Sequence, residues 1–188
     1  MIFKRLSRIR ILLMPYIKWV LCYLLLVHLG LPCSSSLPSN KPKHVIIAES
    51  YVGIVEKSNR GVAVDLFNLN VGNPIGSEWC SAFVKWCLDL AQIKMPQTIT
   101  GLARSQVNKN SFTAWDVLNG KKKIKCGYIL TWQSGKTIHG HTGFADEDWD
   151  KISGKTVEGN ASDGVRQLTR RIEPFNYFRI KWITPVNG

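Results

Sequence analysis

The spacing of apolar residues divides this chain into a helical first half and a strand-rich second half. Residues 44–57 (HVIIAESYVGIVEK) place apolar side chains on successive turns and predict a helix that begins just after Pro42. Residues 58–78 carry asparagine, glycine and proline at short intervals, which predicts mostly loop. A second helix is expected from Ser77, with Ser77 as its N-cap and apolar side chains on almost every face.

The second half alternates short strand-like segments with turns. A loop-rich stretch after Pro96 contains one short predicted helix, at residues 114–118. The predicted strands are residues 128–132, 141–146, 155–158, 165–170 and 178–183. Helices followed by strands predict an α+β fold, with an antiparallel sheet packed against the helices.

The N-terminus has the pattern of an export signal. It starts with basic residues, continues with an uncharged apolar run of about 13 residues from Trp19 to Leu31, and reaches Cys33 and three serines. The run is shorter than the roughly 20 residues that cross a bilayer, although disregarding Lys18 would lengthen it to a marginal anchor. We therefore predict a signal peptide over residues 1–33, with an uncleaved membrane anchor as the alternative.

Cys33 followed by serines resembles the start of a bacterial lipoprotein, in which the cysteine carries the lipid. Pro32 stands where such signals usually have a small residue, so simple cleavage between Cys33 and Ser36 competes with lipidation. Residues 34–43 are polar and contain proline, which is typical of a linker, and residues 44–188 form the predicted domain. We expect an exported protein of the periplasm or cell envelope, with membrane attachment through the N-terminus as one form.

Charge favours a polyanionic partner without specifying it. The net charge is +12, but the first 32 residues hold five basic side chains and no acid, which leaves 20 basic and 13 acidic residues, or +7. These positive charges are scattered apart from the run at residues 121–125. A bacterial wall and nucleic acid both fit such a surface, and nothing points to specific nucleic-acid binding.

Three cysteines, Cys80, Cys87 and Cys126, belong to the predicted domain, so at least one thiol stays unpaired in an oxidising compartment. Cys80 falls in the first turn of the apolar helix and follows a loop rich in glycine and proline. The free N–H groups and positive dipole end of a helix favour a thiolate there. Cys87 lies two turns later and is expected to pack in the core, and a Cys87–Cys126 disulfide stays open.

A thiol nucleophile needs a base, and His141 is the candidate because it begins a predicted strand between two glycines. His139, two residues earlier, is its rival. Glu158 ends the next predicted strand and could hold the imidazole in one tautomer across an antiparallel pair. Asn160 could orient the same ring or stabilise an oxyanion.

Three segments in this order, WCSAFVKW at 79–86, GHTG at 140–143 and EGN at 158–160, resemble the cysteine, histidine-dependent amidohydrolase/peptidase family, known as CHAP. The resemblance covers about residues 44–183 and includes GIVE at 53–56, which matches the family's first helix. One departure is Tyr128, where the family usually has an aspartate.

The resemblance implies a papain-like fold and hydrolysis of amide bonds in peptidoglycan, as an N-acetylmuramoyl-L-alanine amidase or a stem-peptide endopeptidase. By motif, Cys80 is the nucleophile, His141 the base, and Glu158 and Asn160 the residues that orient it. It implies a monomeric enzyme with peptidoglycan as substrate and no cofactor or metal.

Other classes of protein compete with this enzyme. A non-catalytic wall-binding module would use exposed Trp115, Trp132 and Trp149 together with the basic loop at residues 121–125. A zinc site would have to draw on cysteines and histidines whose spacing fits no common zinc motif (Cys80, Cys87, Cys126, His139 and His141). The complete Cys, His, Glu and Asn set favours the enzyme, while an enzyme that processes proteins and a toxin keep the same fold with a different biology.

Overall fold

The computed structural model describes residues 40–187. The predicted signal at residues 1–33 and most of the predicted linker at residues 34–43 lie outside this range. Residues Lys41–Gly188 form one compact unit, which begins three residues before the predicted domain boundary at residue 44. None of the helices in the described range is long and apolar enough to cross a bilayer.

Four helices and a six-stranded sheet make up the described chain. The helices are α1 (Lys43–Ser50), α2 (Val62–Asn70), α3 (Cys80–Leu90) and α4 (Ala114–Leu118), and a 3-10 turn spans Ala103–Gln106. The strands are β1 (Phe112–Thr113), β2 (Ile129–Ser134), β3 (Gly140–Ala145), β4 (Ser153–Glu158), β5 (Arg166–Arg171) and β6 (Phe178–Thr184). The sheet order is β1-β6-β2-β3-β4-β5, and every neighbouring pair is antiparallel. The predicted α+β class is confirmed.

Each face of the sheet has its own apolar core. On one face, helices α1 to α3 pack against Phe144 and Val157, and Phe67 and Phe83 meet with ring centroids 5.5 Å apart. On the other face, a second cluster is built around Leu130, Trp132, Trp149, Ile180 and Ile183, with α4 at its side. Burial of each such side chain contributes about 1.5–3 kcal/mol to folding, so the sheet is held from both sides.

The first predicted helix is too long. It ends at Ser50, because Gly53 adopts a positive φ of 98° and its N–H bonds to the carbonyl of Val165. Val55 then forms an isolated bridge with Gly164, so residues 53–56 lie beside the start of β5 and are not helical. Pairing with a distant strand has overridden good local helix propensity.

Helix α2 was missed, since the predicted loop at residues 58–78 contains it. Three of its apolar side chains, Val62, Leu66 and Leu69, are exposed, and the asparagine-rich sequence around them obscured a nine-residue helix. Asn68 on this helix is buried, and the hydrogen bond that its amide donates to the carbonyl of Ser77 offsets the cost of burying a polar side chain. The central helix was placed correctly but begins at Cys80, with Trp79 and not Ser77 at its N-cap.

An ion-pair group fastens the start of the domain to the sheet. Asp146 is only 1% exposed at its side chain, and its carboxylate accepts hydrogen bonds from Lys41 at 2.9 Å and from Gln167. Lys41 also pairs with Glu49 on α1 at 2.6 Å. A buried carboxylate that loses a charged donor costs free energy, so this group fixes α1 against the end of β3.

We expect Lys41→Ala to lower the free energy of unfolding by about 1–3 kcal/mol, because it deprives a buried carboxylate of its charged donor. Urea unfolding followed by tryptophan fluorescence measures the change. Lys43→Ala is the matched control, since Lys43 is exposed at the start of α1, two residues from Lys41, and should change stability by less than about 0.5 kcal/mol. Equal losses in the two variants would contradict the role given to Lys41.

Candidate active site

Cys80 is the first residue of α3 and is 6% exposed. The helix reaches this place because Gly159, just after β4, has no side chain. A Cβ on Gly159 would lie 2.6 Å from Cβ and Cγ of Phe83, which is one turn along α3 from Cys80. The Glu-Gly-Asn segment therefore lets α3 pack directly on the end of the sheet.

His141 joins the thiol to a carboxylate. Its Nε2 donates to Glu158 Oε2 at 2.8 Å, and the Cys80 side chain is hydrogen-bonded to the same imidazole. Because Nε2 is taken by Glu158, the nitrogen that faces Cys80 is Nδ1. The imidazole lies beside Trp132, directly opposite on β2, with ring centroids 5.5 Å apart. Three residues from α3, β3 and β4 thus form one chain of hydrogen bonds.

Gly143 makes the contact between His141 and Glu158 geometrically feasible. The β3–β4 register pairs Phe144 with Val157, which places Gly143 opposite Glu158. A Cβ on Gly143 would lie 2.6 Å from Glu158 Cγ. The bare backbone lets the glutamate side chain cross over Gly143 towards its diagonal neighbour, so the second glycine of GHTG serves the site directly.

Arg170 holds Glu158 from the other side, and sequence reasoning did not find it. Its Nε donates to Oε1 at 2.8 Å and its Nη2 to Oε2 at 2.7 Å, while Thr156 donates to Oε1. The guanidinium also lies over the Trp132 ring, 5.7 Å from its centroid. Four donated hydrogen bonds, one of them from His141, fix a carboxylate that is fully buried.

The charges in this group favour an imidazolium paired with a carboxylate. Burial alone lowers the pKa of His141, but hydrogen bonds with Cys80 and Glu158 and their negative charge outweigh it and raise the pKa to about 9. Burial would raise the pKa of Glu158, yet Arg170, His141 and Thr156 bring it down to about 2. At neutral pH His141 is therefore protonated and Glu158 ionised.

Asn160 is at the edge of this arrangement. It follows β4 in a left-handed conformation, with φ of 57°, and its amide donates to the carboxylate of Glu78, two residues before Cys80. Its described hydrogen bond thus connects the end of β4 to the segment that leads into α3. Of the four predicted site residues, three share one hydrogen-bonded chain and Asn160 contacts Glu78.

No protein-family model, curated protein or solved structure matches this chain. Its chemistry is therefore inferred from the arrangement of its own side chains.

The alternative ligands and bases lie elsewhere. His139 is exposed in the turn before β3. Cys87 is fully buried in the helix-side core, and this burial raises the pKa of its thiol. The pKa of the Cys126 thiol is raised to about 11, mainly by burial. All three described cysteines are free thiols, so Cys87 and Cys126 form no disulfide here. Within residues 40–187 no group of three or more His, Cys, Asp and Glu side chains is arranged to hold a metal ion.

The titration of His141 tests this electrostatic picture independently of any activity. We expect its imidazole to titrate near pH 9, and Cys80→Ala to lower this pKa, because the variant removes a hydrogen-bond partner of the imidazolium. Long-range proton–nitrogen NMR reports the ring nitrogens directly. A pKa of His141 that is unchanged in Cys80→Ala would contradict the contact.

Arg170→Gln should lower the free energy of unfolding at neutral pH by about 2–3 kcal/mol, because a buried carboxylate loses two charged donors. Since the folded-state pKa of Glu158 is depressed, its stabilising contribution is present above its ordinary pKa of 4.5 and is lost as pH falls towards 2. The difference between wild type and variant should therefore shrink at acidic pH.

Urea unfolding between pH 3 and pH 7 measures this difference. Arg171→Gln is the control, because Arg171 is exposed on the same strand and makes no side-chain hydrogen bond or ion pair within residues 40–187. A loss in Arg170→Gln that does not depend on pH would show that Glu158 is not its partner.

Proposed function

We propose that this chain is a CHAP-like cysteine hydrolase with a papain-like fold that cleaves amide bonds of bacterial peptidoglycan. One observation carries the proposal: Cys80 at a helix start, His141 on a strand and Glu158 on the next strand form a continuous hydrogen-bonded chain. A thiolate, a protonated imidazole and an orienting carboxylate are the groups that thiolate catalysis of amide hydrolysis requires. The order of the three sequence motifs supports the family.

Formation of the acyl-enzyme follows from this geometry. With the thiol proton held on His141 Nδ1, the Cys80 thiolate attacks the carbonyl carbon of the amide, and its negative charge passes to the carbonyl oxygen. The first backbone N–H groups of α3 have no side-chain cap and can donate to that oxygen. His141 then gives its Nδ1 proton to the leaving nitrogen, the C–N bond breaks, and the amine departs.

Hydrolysis of the acyl-enzyme uses the same groups in reverse. His141, now neutral, takes a proton from water, and the hydroxide adds to the thioester carbonyl. Collapse of this second intermediate breaks the C–S bond and releases a carboxylic acid. Cys80 is then a thiolate again and His141 is protonated, as at the start. Throughout, Glu158 keeps Nε2 protonated, so Nδ1 remains the nitrogen that exchanges protons with the substrate.

Peptidoglycan as substrate is supported by the sequence more than by the site. The export-like N-terminus, the positive charge and the CHAP-like motifs agree with a target outside the cytoplasmic membrane. An amidase and a stem-peptide endopeptidase would both use this mechanism. The wall-binding alternative is weakened because two of its three proposed aromatic contacts, Trp132 and Trp149, are buried, and Trp115 alone is 53% exposed.

Purified peptidoglycan should be hydrolysed by the wild-type protein, and Cys80→Ala or His141→Ala should reduce the rate by roughly a thousandfold or more. Cys87→Ala is the matched control, because Cys87 is on the same helix but buried in the core, and it should keep most of the activity. Release of new amino groups gives the rate, and mass spectrometry of the fragments identifies the bond.

Two results would overturn this function. Full activity in correctly folded Cys80→Ala would exclude the thiol mechanism. A wild-type protein that sediments with wall material but releases no fragments would be a binding module instead.

A further inference from the structure

The half-buried ring of Trp182 on β6 contacts two cations. The Lys181 ammonium lies 4.4 Å from the centroid of its ring, and the Arg104 guanidinium lies 5.4 Å from it. Arg104 belongs to the 3-10 turn and Lys181 to the sheet, so two distant segments converge on one aromatic ring. Such contacts stabilise cations at modest energy and fix where their charges point.

A β-bulge brings Lys181 to this position. The β2–β6 register shifts between Thr131 and Trp132, so that Lys181 is the extra residue on β6. Bulges redirect side chains, and here the lysine reaches across to donate to Gln133 on β2. Arg179 is directly opposite Gln133 in the same register and adds a third cation.

These three cations, Arg104, Arg179 and Lys181, have only neutral partners among residues 40–187. Arg179 donates to the carbonyl of Asn176, Lys181 to the amide oxygen of Gln133, and Arg104 contacts the Trp182 ring. Burial, followed by the charges of Arg179 and Arg104, lowers the pKa of Lys181. Like charges gathered without a carboxylate repel one another, and a bound anion would relieve that repulsion.

The cation cluster is connected to the catalytic helix. Ser81, the residue after Cys80, donates to the carbonyl oxygens of Thr100 at 2.6 Å and Leu102 at 3.2 Å, and it accepts from Gln106 at 2.8 Å. These bonds hold both ends of the turn that carries Arg104 against the start of α3. Arg104 is therefore fixed relative to the nucleophile.

The sheet gives the approximate distance between the cluster and His141, the residue that contacts Cys80. Strand β2 lies between β3, which carries His141, and β6, which carries Lys181. Neighbouring strands are about 4.8 Å apart, so the backbones of these two residues are separated by about 10 Å across the sheet. An extended peptide advances about 3.3 Å per residue and covers that distance in about three residues.

We propose that Arg104 and Lys181 at the Trp182 ring, with Arg179 opposite Gln133, form a subsite for a carboxylate of the substrate peptide, about three residues from the amide that Cys80 attacks. The guanidinium groups offer paired donors that match a carboxylate, and Trp182 provides an apolar surface for the adjoining peptide. This inference rests on the proposed function, because it assigns a peptide with free carboxylates as the preferred substrate of that site.

Binding can be measured without turnover in the full chain carrying Cys80→Ala. The probes are a soluble stem tetrapeptide with free carboxylates and the same peptide with every carboxylate amidated. We expect the peptide with free carboxylates to bind about tenfold more tightly than the amidated peptide, which is the effect of one charge-assisted hydrogen bond. This difference in affinity should shrink as the salt concentration is raised. Isothermal titration calorimetry measures both affinities.

Lys181→Gln and Arg104→Gln, each added to Cys80→Ala, should remove most of this preference and leave binding of the amidated peptide unchanged. Lys94→Gln is the control for the loss of one positive charge. Lys94 is exposed beyond Leu90, at the end of α3 opposite Cys80, and should preserve the preference. Circular dichroism confirms that each variant is folded.

Equal binding of the two peptides, or an equal loss in Lys94→Gln, would overturn the subsite. Peptidoglycan hydrolysis by the wild type with no carboxylate preference would leave the proposed function standing and remove only this inference. A carboxylate preference in the binding experiment, together with no hydrolysis by the wild type, would uphold the subsite and reject the enzymatic function.

Discussion

The ionised carboxylate of Glu158 is the constraint on which the rest of the site depends. It is fully buried, so its charge must be compensated by donors that other elements supply: Arg170 from β5, Thr156 from its own strand and His141 from β3. These donors can converge only if the strands keep their register and twist. The same interactions that satisfy a costly buried charge therefore hold the imidazole towards Cys80, so the stability of the fold and the geometry of the proposed site have one origin.

The path from sequence to site runs through two glycines and a helix start. Gly143 lets Glu158 cross towards His141, and Gly159 lets Phe83 of α3 lie on the end of β4. A Cβ at either position would clash, with Glu158 at Gly143 and with Phe83 at Gly159. The glycines in the motifs around His141 and Glu158 are therefore required by close packing between the strands and α3. Chemistry and packing cannot be varied independently at these positions.

Sequence predicted the parts of the molecule that local pattern determines. Cys80, His141 and Glu158 came from short motifs, and the five longer strands came from alternation and turn residues. Arg170 could not be found this way. In the β4–β5 register the residue directly opposite Glu158 is Arg166, but Arg166 donates to the carbonyl of Ser162. The carboxylate is bound instead by Arg170, four residues further along β5. The end of α1 was missed because it depends on a bridge between Val55 and the distant Gly164. Helix α2 was missed because several of its apolar side chains are exposed, so its sequence shows no clear apolar face.

The placement of the other thiols has a consequence for oxidation. Cys87 is seven residues along α3 from Cys80, a rise of about 10 Å, which is beyond the reach of a disulfide. Cys126 precedes β2 at the end of the sheet where Gly127 bonds to Ala145, about four residues along β3 from His141. A sulfenic acid formed on Cys80 would thus find no resolving cysteine on Cys87, and peroxide would carry it on to irreversible forms. For the enzyme proposed here, the lifetime of activity in an oxidising environment would be set by how well the near-complete burial of Cys80 excludes oxidants.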